Sequence, residues 1–115
     1  MDRYVAAASY AGRIEHELRA LNAWQSNPLP DSAYESEEAF FADTMSFYQW
    51  LQFVLMARVR EVIETRGAFP EESSVATYAI RELDGNDEAA GLIEALSEFD
   101  EFIESPNESA TGAEA

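Results

Sequence analysis

The sequence predicts an all-α fold: a single-domain bundle of about four helices around a central helix, with a short helical piece before it. Three observations carry this. Apolar residues recur at helical spacing in separate stretches, and no segment has the two-residue alternation that a half-buried strand needs. The stretch from Phe40 to Val62, FFADTMSFYQWLQFVLMARVREV, is also so apolar that it must be enclosed by other elements. With 115 residues, of which 47% are hydrophobic and 12% aromatic, the chain can bury one core without staples.

Residues 2–25 read as the first helix. Ala7, Ala11, Ile14, Leu18, Leu21 and Gln25 recur at spacings of three and four, with Tyr4, Tyr10 and Trp24 close to that line. His16, the sole histidine, projects opposite Leu18 and Leu21 and is expected in solvent. Residues 26–36, SNPLPDSAYES, contain two prolines and keep neither period, so they form a connector across one end of the bundle, pinned by Leu29 and Tyr34. Ser36 suits an N-cap, with Glu37 and Glu38 where the helix dipole favours negative charge.

A short helical piece over about 37–43 comes next, and then an interruption. Ser46 and Gln49 have the S-x-x-Q spacing of a capping box, so a central helix is expected over about 47–66, with one unbroken helix over 37–66 as the rival. At 100° per residue from Phe47, the residues Trp50, Leu51, Val54, Leu55, Met56, Val59, Val62 and Ile63 cover more than half the circumference. Phe53 stands in the middle of the narrow polar strip of Gln49, Arg60 and Glu64. Arg58 and Gln52 fall on the apolar arc. Gln52 should be hydrogen-bonded if enclosed, and Arg58 must snorkel out or pair with an acid, for which Asp43 at the break is the first candidate.

Gly67 suits a left-handed cap, and Pro70 prevents resumption. Ser73 or Ser74 can cap a short helix through Val75, Tyr78, Ala79 and Leu83 that stops near Gly85. Asn86 caps the last helix, whose stripe is Ala89, Leu92, Leu96, Phe99 and Ile103, with Ile93 and Phe102 beside it. Pro106 closes it. The helical domain therefore covers 1–104, and the acidic tail 105–115, which is small and polar, is expected to be disordered.

Charge and composition narrow the chemistry. Seven basic residues, all arginine, face 23 acidic ones for a net charge of −16, a field that repels phosphate backbones and argues against direct nucleic-acid binding. Solubility is the plain reason for the acid excess; salt adaptation or a basic partner is the sharper one. Val5 to Gly12 makes a poor signal peptide, and no apolar run is long enough for a membrane span, so a cytoplasmic protein is expected. There is no cysteine, which excludes disulfides and thiolate metal sites. Glu94, Glu98 and Glu101, like Asp100 and Glu104, share faces of the last helix but lie off its apolar stripe, and a solvated face is expected. No catalytic residue, metal site or cofactor is expected.

Phe40-Phe41, Asp43-Thr44-Met45, Trp50-Leu51-Gln52, Val54-Leu55 and Arg58 together resemble the signature of the YqcC-like proteins, small bacterial proteins without an established activity. The resemblance implies a compact all-α domain. This chain departs from the family pattern at Ser46-Phe47, Ala57-Arg58 and Thr77-Tyr78, where relatives often carry a proline. In some bacteria the family's gene lies beside one for a tRNA pseudouridine synthase, which implies a protein partner in tRNA modification. The expectation is a non-enzymatic protein-interaction domain, accessory to such a basic RNA-modifying enzyme, with Asp43, Trp50, Gln52, Phe53 and Arg58 as the partner or ligand surface. The alternative is a small-molecule binder or an enzyme with a pocket near the Asp43-Thr44-Met45 break. Monomer and homodimer both remain open.

Overall fold

Four α-helices carry the fold in the computed structural model, which describes residues 2–105. They are α1 (Arg3–Ala20), α2 (residues 47–65), α3 (Val75–Glu82) and α4 (Ala90–Glu104). α4 packs against both α1 and α3, and α1 packs in turn against the C-terminal half of α2. Ile14 and Leu18 of α1, Leu51 of α2, and Leu92 and Leu96 of α4 are fully buried where these helices meet. Each such side chain contributes about 1.5–3 kcal/mol by leaving water. All five residues of the α4 stripe are buried, and His16 is exposed. Among the described residues no helix is long and apolar enough to cross a membrane. The expectation of a disordered tail falls on 106–115, outside the described residues, apart from Ser105.

α1 is shorter than the predicted 2–25. Asn22 takes a left-handed conformation (φ 60°), and the amides of Asn22 and Ala23 bond back to the carbonyls of Arg19 and Leu18. This is a Schellman ending on asparagine, a residue that tolerates that conformation. The stripe therefore stops at Leu21, and Trp24 and Gln25 belong to the chain that leaves the helix. At the other end of α1 the Asp2 carboxylate accepts the Tyr4 amide at 2.8 Å.

The break before α2 is built as the capping-box spacing predicts. The Gln49 amide donates to Ser46 Oγ at 3.0 Å, and the Ser46 amide donates to Gln49 Oε1 at 2.9 Å. The unbroken helix over 37–66 is ruled out. The short helical piece shrinks to one 3-10 turn, Ala39–Phe41, in which Phe40 and Phe41 both have left-handed backbones, at φ 57° and 52°. That conformation costs a bulky residue roughly 1–2 kcal/mol. Aromatic packing offsets it: the Phe40 ring stacks on Tyr78 at 3.9 Å and meets Trp50 edge-on at 4.7 Å.

α2 contains an irregularity that the periodicity did not reveal. Leu51–Leu55 is a π-helical turn, in which the Met56 amide reaches the Leu51 carbonyl five residues back. Such a turn holds one extra residue and sets the following segment back by about 100°. From the end of this turn onward, Leu55, Met56 and Val59 return to the face that already buries Phe47, Trp50 and Leu51. α2 ends in a second Schellman motif, with Arg66 and not Gly67 in the left-handed position (φ 52°). The Gly67 amide bonds to the Val62 carbonyl and the Arg66 amide to that of Ile63. Arg66 tolerates the position because its guanidinium meets Asp2 at 3.0 Å and lies 4.5 Å from the Tyr4 ring.

Candidate functional site

The signature stretch divides into a part that builds the fold and a part that faces solvent. Asp43, Thr44 and Met45 clasp the connector. Asp43 is exposed and accepts a hydrogen bond from the Ser36 hydroxyl, Thr44 Oγ1 donates to the Ala33 carbonyl at 2.7 Å, and Met45 enters the core. Ala33, within a 3-10 turn at Asp31–Tyr34, is the connector's buried residue. Leu29 packs partly against the core, and Tyr34 is 43% exposed.

Trp50 and Gln52 are likewise committed inward. Trp50 is buried among Phe40 and Phe47. Gln52 holds the chain that leaves α1: its Oε1 accepts the Gln25 amide at 2.9 Å, and its Nε2 donates to the Gln25 carbonyl at 2.8 Å. Both backbone groups of Gln25 are satisfied by one side chain, which answers the hydrogen-bonding demand of this half-buried stretch. Gln49 adds a bond from its Nε2 to Gln25 Oε1.

Phe53 and Arg58 are brought together. They line a shallow depression of about 230 Å³ with Tyr34, Phe41, Val54 and Ala57. The rotation imposed by the π turn moves Arg58 from the middle of the apolar arc to its edge, and it is exposed. No ion pair joins it to Asp43. Among the described residues Arg58, Arg60 and Arg81 make no ion pair, hydrogen bond or ring contact, while Arg13 pairs with Glu98 and Glu94, Arg19 with Glu15, and Arg66 with Asp2. On its other side Arg58 borders a second cleft of about 310 Å³ between α2 and the segment that leads into α3. Neither Trp50 nor Gln52 lines that cleft. Among the described residues no three His, Asp or Glu side chains converge to hold a metal ion.

One buried carboxylate stands against the expectation of a solvated face. Asp100 is only 9% exposed and caps α3 from another helix: Oδ1 accepts the Ser73 hydroxyl and the Val75 amide, and Oδ2 accepts the Ala76 amide at 2.8 Å. Ser74, at the N-cap, makes no side-chain bond to the helix. The signal was in the sequence, since Asp100 lies four residues after Leu96 and three before Ile103, on the buried face. The glutamates beside it are not purely solvated either, because Glu94 and Glu98 receive Arg13 from α1. The Asp2 carboxyl is held below its ordinary pKa of 3.8, first by the Tyr4 amide and then by Arg66.

Comparison with known proteins agrees with this architecture. A family model for DUF446, described as tRNA pseudouridine synthase C, matches residues 7–102. An uncharacterized protein of Haemophilus influenzae is 31% identical over 90 residues, covering 78% of this chain and 73% of that protein. The uncharacterized protein YqcC of Escherichia coli is 30% identical over 73 residues, covering 57% of this chain and 67% of that one. The solution NMR structure of E. coli YqcC matches at a TM-score of 0.82 and 24% identity over 91% of both chains, a likeness of fold. A tRNA pseudouridine synthase C of Pectobacterium carotovorum is 37% identical over 57 residues, half of this chain but only 15% of that enzyme. Signature, fold and matched length agree, and the chain belongs to the DUF446 family of YqcC-like proteins.

Proposed function

We propose that this chain is a non-enzymatic protein-interaction domain that serves a tRNA-modifying enzyme of the pseudouridine synthase class, docking through the patch formed by Tyr34, Phe41, Phe53 and Arg58. The observation that carries the proposal is the composition of that patch. Aromatic side chains beside an uncommitted arginine are what binding hot spots are made of, and here the unpaired Arg58 lies beside the exposed Tyr34 ring and the half-buried rings of Phe41 and Phe53.

Two further facts support it. A net charge of −16 attracts a basic, RNA-binding enzyme and speeds its encounter. The Pectobacterium enzyme carries a stretch similar to half of this chain. A domain that works beside an enzyme can be tethered to it in one protein and free in another, the tether supplying effective concentration. Under this proposal the protein works in the cytoplasm and leaves contact with RNA to its partner.

The test is a binding isotherm between the purified protein and a purified tRNA pseudouridine synthase C from the same bacterium. Saturable binding that weakens with added salt and is lost in the Phe53→Ala/Arg58→Ala variant is expected. No binding at either low or high salt would refute the proposal.

A further inference from the structure

We infer that the cleft on the far side of Arg58 is a binding site for a small apolar monocarboxylate, an acyl or aryl chain that ends in one carboxylate. Its volume, about 310 Å³, lies at the lower end of the range for small-molecule sites. Phe40, Leu55, Val59, Val62, Phe69 and Val75 supply an apolar wall, and Arg58 and Glu72 are the charged groups at its edge.

The charge pattern selects the ligand. In a chain of net charge −16, Arg58, Arg60 and Arg81 have no carboxylate partner among the described residues, and of these three Arg58 alone lines this cleft, where its guanidinium can meet an anion. The planar fork of arginine matches a carboxylate with two parallel hydrogen bonds. Arg58 can hold one carboxylate by direct hydrogen bonding, whereas Glu72 on the same lining opposes the second charge of a phosphate. The wider depression of about 570 Å³ near Arg3 offers no such group, because Arg3 already donates to the carbonyls of Phe102 and Ser105 and lies over the rings of Phe69 and Phe102.

Octanoate, 1-octanol and octylammonium titrated into the labelled protein at low salt, followed by amide NMR shifts, test the inference. Octanoate is expected to bind about ten-fold more tightly than 1-octanol, the worth of one charge-assisted hydrogen bond at a partly exposed site, with shifts at Val62 and Val75. Arg58→Gln should erase that preference, Glu72→Gln should strengthen octanoate binding, and Val62→Phe, which fills the cleft, should abolish binding of every chain. Octanoate bound no better than octanol or octylammonium, a preference untouched by Arg58→Gln, or shifts outside the cleft would overturn the inference. Val62 and Glu72 lie outside the Tyr34, Phe41 and Phe53 patch, so their variants should bind the synthase normally, and each proposal can fail without the other.

Discussion

Replacing Asp100 with asparagine isolates the contribution of the one carboxylate that is buried among the described residues. In the native arrangement Oδ1 takes two donors and Oδ2 takes one. The amide side chain can keep its carbonyl oxygen on the Ser73 and Val75 side, but its NH2 group then faces the Ala76 amide, donor against donor. The loss comprises one charge-assisted hydrogen bond, about 1.5–3 kcal/mol, and the charge at the N-terminus of α3, about 0.3–1 kcal/mol. Relaxation recovers part of this, so a net cost of about 2 kcal/mol is expected, and alanine, which leaves all three donors bare, should cost about 3–5 kcal/mol. For a domain of this size 2 kcal/mol lowers Tm by about 8–9 °C, or moves the urea midpoint by about 1 M. Thermal and urea unfolding followed by circular dichroism read both, with Glu101→Gln on the exposed face as a control expected to stay within about 0.5 kcal/mol. Hydrogen exchange at Val75 and Ala76 should accelerate in step. An Asp100→Asn variant that melts with the wild type and keeps those amides protected would refute the role given to this carboxylate.

Three other perturbations probe the remaining local claims. Gln52→Leu removes both bonds to Gln25, so it should cost about 1–3 kcal/mol and expose the Gln25 amide to rapid exchange; unchanged protection there would contradict the clasp. Asp2→Asn keeps a cap oxygen for Tyr4 but not the charge. Because the Asp2 pKa is lowered from 3.8 on folding, the wild type should be the more stable at neutral pH, and the difference should close as pH falls below 3.8 through the lowered value. A difference that persists in acid would break the argument. Deleting Phe53 should shorten the π turn to an α turn and leave Leu55, Met56 and Val59 facing the core, giving a cooperatively folded protein. Deleting Ala57 forces either Leu55 and Met56 or Val59 out of the core, so the same melting curve for both deletions would contradict the bulge.

The helical elements were legible because their apolar stripes and their caps agreed. Ser46 and Gln49 located the start of α2, Asn86 that of the last helical segment, and the α4 stripe was right at every position. The end of α1 was not legible, since Asn22 stops the helix by backbone conformation while Trp24 and Gln25 continue the pattern. The π turn was missed for a definable reason: two stripes of ordinary width, set about 100° apart by one inserted residue, look on a regular wheel like a single very wide arc. That width, with Arg58 in its middle, was the available signal. For Asp100 the spacing from Leu96 and Ile103 places the carboxylate on the buried face, but its partners, the amides of α3, are distant in sequence and leave no trace of what it binds there. Of the candidate site, Phe53 and Arg58 come together at the surface, whereas Asp43, Trp50 and Gln52 each have an architectural contact.

The division of the signature between folding and display is tested most directly by titrating the isotopically labelled protein with unlabelled tRNA pseudouridine synthase C and mapping the NMR shifts. Perturbed signals should cluster at Tyr34, Phe41, Phe53 and Arg58, with Gln25 and Gln52 unchanged. Perturbations confined to the acidic exposed face of α4, or none at saturating enzyme, would contradict that division.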